Sequence, residues 1–203
     1  AAVAIAGGGP FLGLGGLGLA AWLMTSTLVE LAERIKLFKE PLTTSLGRLL
    51  RQPRASWGMT FAHLGMAIAI AGMAGAGGRK VESIQVMKPG DQVNVAGYDY
   101  TFFGARQDQG PNYTIIEGTF QVTKDGQDVA TLKAEKRNYP VRQMPTTEAA
   151  IHSLFSGDLY AVIGDPDGQD GGFVTRIYFN PLVAWMWVGS LLMVFGGVIS
   201  ISD

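Results

Sequence analysis

The sequence predicts a membrane α-helical protein with an inserted small all-β domain, an antiparallel barrel or sandwich. Three apolar blocks and one long polar interval carry that expectation. Ala1 to Val29, Trp57 to Ala76 and Asn180 to Ser202 contain no Asp, Glu, Lys or Arg. Each is near or above the roughly 18 apolar residues that a membrane-crossing helix needs. From Gly77 to Phe179 the chain instead alternates polar with apolar and β-branched residues, broken by turn formers. The expected order is a transmembrane helix over 1–29, a basic loop with amphipathic helices over 30–56, a transmembrane helix over 57–76, a β-rich domain over 77–179 and a transmembrane helix over 180–202.

The first block has no basic n-region and is longer than a signal-peptide core. With no initiator Met and a third block that stops where a helix leaves the membrane, the chain reads as a segment of a longer polytopic protein. Gly7-Gly8-Gly9-Pro10 is expected to loosen the first helix, a break that persists in lipid only where neighbouring helices satisfy the freed backbone. Gly13-Leu14-Gly15-Gly16-Leu17-Gly18 fits the dinucleotide fingerprint, but that mechanism needs a preceding strand and a βαβ unit. Inside an apolar block the same glycines point to close helix packing.

Between the first two blocks, Arg34, Lys36, Lys39, Arg48, Arg51 and Arg54 outnumber Glu30, Glu33 and Glu40. Short loops rich in Lys and Arg stay in the cytoplasm during insertion, which places residues 77–179 on the far side. Leu28, Leu31, Ile35 and Phe38 predict an amphipathic extension over Thr27 to Lys39, stopped by Pro41, and a second short helix runs from Leu42 to Leu50. Such a basic face commonly rests on the headgroup layer of membrane lipid and reads first as a solvated topogenic loop, with a specific lipid or partner site as the alternative. No cysteine occurs, which excludes disulfides and thiolate ligands.

Expected strands in the β-rich domain are Ser83 to Met87, Gln92 to Val95, Tyr98 to Ala105, Tyr113 to Thr123, Asp128 to Glu135, Asp158 to Gly164 and Gly172 to Tyr178. Lys88-Pro89-Gly90-Asp91, Lys124-Asp125-Gly126 and Asp165-Pro166-Asp167-Gly168 mark turns. One short helix is expected from Thr147 to Phe155, capped by Thr146 or Thr147 with Glu148 in its first turn. Asp165, Asp167 and Asp170 lack the Gly and Glu spacing of a calcium loop and read as a polar turn.

His63 is the candidate functional residue, an ionisable side chain inside the second apolar block. It lies about 9 Å in from the Trp57 end by helical rise. Met59, Met66, Ile70 and Met73 share its side, and Ala62, Gly65, Ala69, Gly72 and Ala76 form a separate ridge of small residues. That ridge admits a neighbouring helix, while a polarizable Met face suits a flat apolar ligand. Three readings of His63 stay open on these grounds: haem ligation, a proton or ion relay in a transporter, and an interhelical hydrogen bond in a non-catalytic scaffold. The other histidine, His152, reads as a surface residue, and Trp185, Trp187, Phe179 and Tyr178 read as an interfacial aromatic belt.

Several stretches taken together carry a resemblance. They are Pro53-Arg54-Ala55-Ser56-Trp57-Gly58-Met59 leading into Ala62-His63-Leu64-Gly65, then Gly110-Pro111-Asn112-Tyr113, Tyr139-Pro140, Met144-Pro145-Thr146-Thr147-Glu148-Ala149-Ala150-Ile151, Asp158-Leu159-Tyr160, and Asn180-Pro181-Leu182 to Gly197. In order and content they resemble the C-terminal part of the CcmF family of bacterial cytochrome c biogenesis proteins, haem lyase subunits, with NrfE-like proteins related. The resemblance implies a multi-pass inner-membrane protein with a periplasmic β-domain. It implies haem taken from the chaperone CcmE and attached to apocytochrome c, with CcmH-type and CcmI-type partners and no nucleic acid. His63 matches a transmembrane histidine associated in the family with a resident haem b, which makes it the expected iron ligand, with Met59, Met66 and Ile70 around it. The family's tryptophan-rich WWD segment, its two outer-face histidines and the partner transmembrane histidine are missing from these residues. The second axial ligand is therefore expected outside this segment, and the segment alone is not expected to catalyse attachment.

Overall fold

The computed structural model describes residues 10–78, 80–141, 143–167 and 171–202; the Gly7-Gly8-Gly9 break and Asp170 lie outside the described residues. Residues 1–79 and 181–203 form a helical unit, and residues 80–180 a strand unit.

Among the described residues, four helices build the first unit: α1 Pro10–Arg34, α2 Leu42–Leu50, α3 Arg54–Gly78 and α4 Val183–Ile201. Three of them, α1, α3 and α4, are long and apolar enough to cross a membrane. Helix α1 runs unbroken through the fingerprint glycines, because in hydrocarbon a backbone has only its own turns as partners. It ends at Arg34, short of the expected Lys39. Lys36 takes a left-handed conformation with φ 55°, and the N–H groups of Leu37 and Lys36 bond the carbonyls of Ala32 and Glu33. That Schellman arrangement satisfies the last carbonyls and ends the helix before Pro41 is reached. Helix α2 has the expected bounds.

Helix α3 is the centre of its unit, packed on both α1 and α4. The contact with α4 is backbone against backbone. A Cβ placed on Gly58, Gly65 or Gly72 would lie 2.5, 2.6 and 2.7 Å from the Gly196 carbonyl oxygen, the Gly189 carbonyl oxygen and the Met186 nitrogen. Glycines seven apart on α3 thus meet Gly196 and Gly189 in reversed order on α4, so the helices are antiparallel and stay in register along one seam. Towards α1, Gly16 meets Ala74 and Gly13 meets Gly78, whereas Gly15 and Gly18 face open space. Of the four fingerprint glycines, Gly13 and Gly16 are the packing residues.

The second unit is a sandwich with nine strands among the described residues: β1 Val81–Met87, β2 Gln92–Val95, β3 Tyr98–Gln109, β4 Thr114–Lys124, β5 Gln127–Tyr139, β6 Met144–Glu148, β7 Ala150–Leu154, β8 Gly157–Asp167 and β9 Gly172–Pro181. One sheet has the order β1-β9-β8-β7 and the other β2-β3-β4-β5-β6. Tyr100, Phe102, Phe120, Leu159, Ile163 and Ile177 fill the space between them and are fully buried. Gly118 on β4 is glycine for want of room, since a Cβ there would meet Ile163 Cδ1 from the facing sheet at 2.5 Å.

The expected helix from Thr147 to Phe155 is two strands instead. β6 pairs with the long β5, and β7 pairs with β8 from the other sheet, so the chain changes sheets around Ala149. Two long strands with an open edge each offer a full ladder of backbone partners, which outweighs the helix propensity of Ala149 and Ala150. Glu148 lies opposite Glu135 across the β5–β6 pair, and Arg137 bridges them, 2.7 Å from Glu135 and 3.9 Å from Glu148. The hydrogen bond to Glu135 raises the Arg137 pKa above its ordinary value. The aromatic cluster divides as well. Phe179 stacks on Tyr98 and Tyr178 meets Tyr160 edge-on, both within the strand unit, leaving Trp187 exposed on α4.

Candidate functional site

With α1 on one side of α3 and α4 on another, one stripe of α3 is left facing outwards. The alternation of four-residue and three-residue steps places Met59, His63, Met66, Ile70 and Met73 on it. Met59, Met66 and Met73 are 37%, 47% and 55% exposed, His63 is exposed and Ile70 is half-buried. The small-residue ridge expected from Gly65, Ala69 and Gly72 is buried on the α4 side. Histidine and ridge therefore serve different faces of the same helix.

His63 Nδ1 lies 2.8 Å from the carbonyl oxygen of Met59, one turn back. A carbonyl only accepts, so Nδ1 carries the proton and donates it. In the neutral form of this tautomer the lone pair is on Nε2, which has no partner among the described residues. This bond fixes both the tautomer and the ring orientation on the outward face. No group of three or more His, Asp or Glu side chains close enough to share a metal occurs among the described residues.

Towards the N-terminus of α3 from His63, a polar knot fastens the helix to α1. Arg34 pairs with Glu30 at 3.1 Å and reaches Gln52 Oε1 and the Ser56 carbonyl at 3.4 Å and Thr60 Oγ1 at 3.5 Å. Thr60 is 1% exposed and donates to the Ser56 carbonyl at 2.9 Å. The sequence places Arg34 among the basic residues of the loop and four residues from Glu30 on the helical extension, where the pair forms; its distance from Thr60 in sequence gives no signal of the contact across to α3.

Residues 78–181 match the family described as the CcmF C-terminal beta-sandwich. The chain belongs to the CcmF family. Likeness to CcmF-type proteins also extends through the helices. The chain is 45% identical over 199 residues to the cytochrome c-type biogenesis protein ccl1 of Rhodobacter capsulatus, covering 98% of this chain and 29% of that protein. It is 40% identical over 196 residues to the cytochrome c-type biogenesis protein CycK of Rhizobium meliloti, covering 97% of this chain and 29% of that one. The chain thus spans less than a third of the length of these relatives. A solved structure of the cytochrome c haem lyase CcmF shares the fold with a TM-score of 0.70 at 18% identity, over 96% of this chain and 31% of that one.

His152 sits half-buried on β7, opposite Leu159. Among the other expected site residues, Met59, Met66 and Ile70 share the stripe of His63.

Proposed function

We propose that this chain is the part of a CcmF-type cytochrome c biogenesis protein that supplies one axial ligand, His63, to an internal haem b. The observation that carries the reading is the hydrogen bond from Nδ1 to the Met59 carbonyl. It leaves the Nε2 lone pair directed off an apolar, methionine-rich face. Met59, Met66 and Ile70 provide polarizable and apolar contact surface for a flat macrocycle and keep water from the ring nitrogen. A haem held there supplies a one-electron redox centre within the membrane. The second ligand comes from helices outside these residues.

The excess of Lys and Arg between α1 and α3 supports a cytoplasmic position for that loop and a periplasmic one for the strand unit in a bacterial inner membrane. Family membership supports a part in haem delivery and attachment to apocytochrome c, with CcmE and CcmH-type or CcmI-type proteins as partners. The open edges of β6 and β7 suit extended segments of such partners.

His63→Ala in the complete protein tests the reading. The expected result is loss of the reduced-minus-oxidised b-type absorption with membrane insertion intact. An unchanged band would make His63 a packing residue and favour a scaffold role.

A further inference from the structure

We propose that α2 and the turn before it form an interfacial element that binds the headgroup layer of an anionic phospholipid leaflet. Leu42, Leu46 and Leu50 fall four residues apart on one side of α2 and are 66%, 57% and 84% exposed, and Phe38 in the preceding turn is 91% exposed. Ser45, on the inward side, is 1% exposed, and its hydroxyl donates to the Lys36 carbonyl at 3.4 Å. The helix is thus anchored to its own unit by a polar residue and presents leucine outwards, the reverse of a helix in water.

Two observations identify the occupant. The first is tethering. Helix α1 ends at Arg34 and α3 begins at Arg54, both long enough to span, so the short stretch between them is held at the membrane surface on one side. The second is charge. Lys36 and Arg48 share a single carboxylate, Glu40, at 3.6 and 2.8 Å. Among the described residues Lys39 and Arg51 make no ion pair, and Arg54 donates to the Ser202 carbonyl at 2.9 Å. The element therefore combines an apolar stripe of the kind that enters the acyl boundary with two cations, Lys39 and Arg51, that lack a counter-charge among the described residues. Phosphatidylglycerol or another anionic headgroup supplies it; each basic residue near such a surface contributes about fivefold to binding.

These residues contain no native cysteine, and with any cysteine elsewhere in the complete protein replaced by serine, single reporters can be placed. Leu46→Cys and, on the opposite side, Thr44→Cys would be introduced into the complete protein. Each would be labelled with an environment-sensitive fluorophore and reconstituted into nanodiscs of phosphatidylcholine with or without phosphatidylglycerol. Spin-labelled lipid is expected to quench the label at 46 at least about twofold more than the label at 44, and the difference is expected to grow with phosphatidylglycerol. Lys39→Gln with Arg51→Gln is expected to abolish that growth while leaving haem content unchanged. Equal quenching of both labels by aqueous iodide would overturn the proposal, as would a label at 46 shielded from lipid and iodide alike, which would mean a protein segment covers the stripe. Lipid quenching indifferent to phosphatidylglycerol would overturn its anionic part.

Discussion

The helical unit and the strand unit solve the packing problem in opposite ways. In the first, contact is made where side chains are missing: Gly58, Gly65 and Gly72 on α3 against Gly189 and Gly196 on α4. In the second, contact is made where side chains are large: Tyr100, Phe102, Phe120 and Ile163 between two sheets. The physical reason is the solvent. Water drives apolar side chains together, whereas lipid offers them no such gain and leaves close backbone approach and dispersion as the cohesive terms. The outer faces differ accordingly, and His63 stands on an apolar face where an ionisable group needs a specific partner.

Exchanging the two rules should break each unit by its own mechanism. Gly65→Leu is expected to have the largest effect, because its side chain meets the Gly189 carbonyl and the Met193 backbone nitrogen, which cannot rotate aside. The cost is expected at or above the upper end of overpacking, about 3 kcal/mol, read as loss of assembled protein in the membrane. Gly18→Leu, facing open space, is the control and should accumulate normally. Phe120→Ala is expected to cost about 3–5 kcal/mol in the strand unit, read by hydrogen exchange in β3 and β4, while the haem band stays unchanged.

A smaller effect comes from pH. Burial, then the neighbouring Tyr98, pushes the Tyr100 hydroxyl far above its ordinary value of 10.0. The folded unit favours the neutral phenol, so this contribution is fully present below about pH 10 and is lost as pH rises through and beyond it. Absorbance titration should show Tyr100 ionising after the exposed tyrosines, and Tyr100→Phe should remove that late step. Smallest is Glu117→Gln, which removes the pairs with Arg106 at 3.1 Å and Lys133 at 3.9 Å; both cations are largely exposed, so thermal stability should change by under about 1 kcal/mol.

Much of this contrast was legible in the residues. Charge-free blocks located three helices, and alternation located seven of the nine strands among the described residues, because both signals are local and periodic. Thr146 to Phe155 misled because its capping pattern is equally local, while the edges of β5 and β8 that claim it are distant in sequence. The ridge on α3 was visible as a period of small residues, but its match to Gly189 and Gly196 depends on an antiparallel register no local pattern encodes. The stripe around His63 followed from helical geometry alone. Its hydrogen bond to Met59 required the fold to show which ring nitrogen remains open.

The proposed ligation of iron by that nitrogen is testable by chemical rescue. His63→Gly in the complete protein removes the imidazole and leaves a space the free molecule can enter. Restoration of the reduced-minus-oxidised b-type spectrum by added imidazole, after its loss in the variant, is the result expected if His63 Nε2 ligates iron. A variant that keeps the native spectrum without imidazole would contradict it.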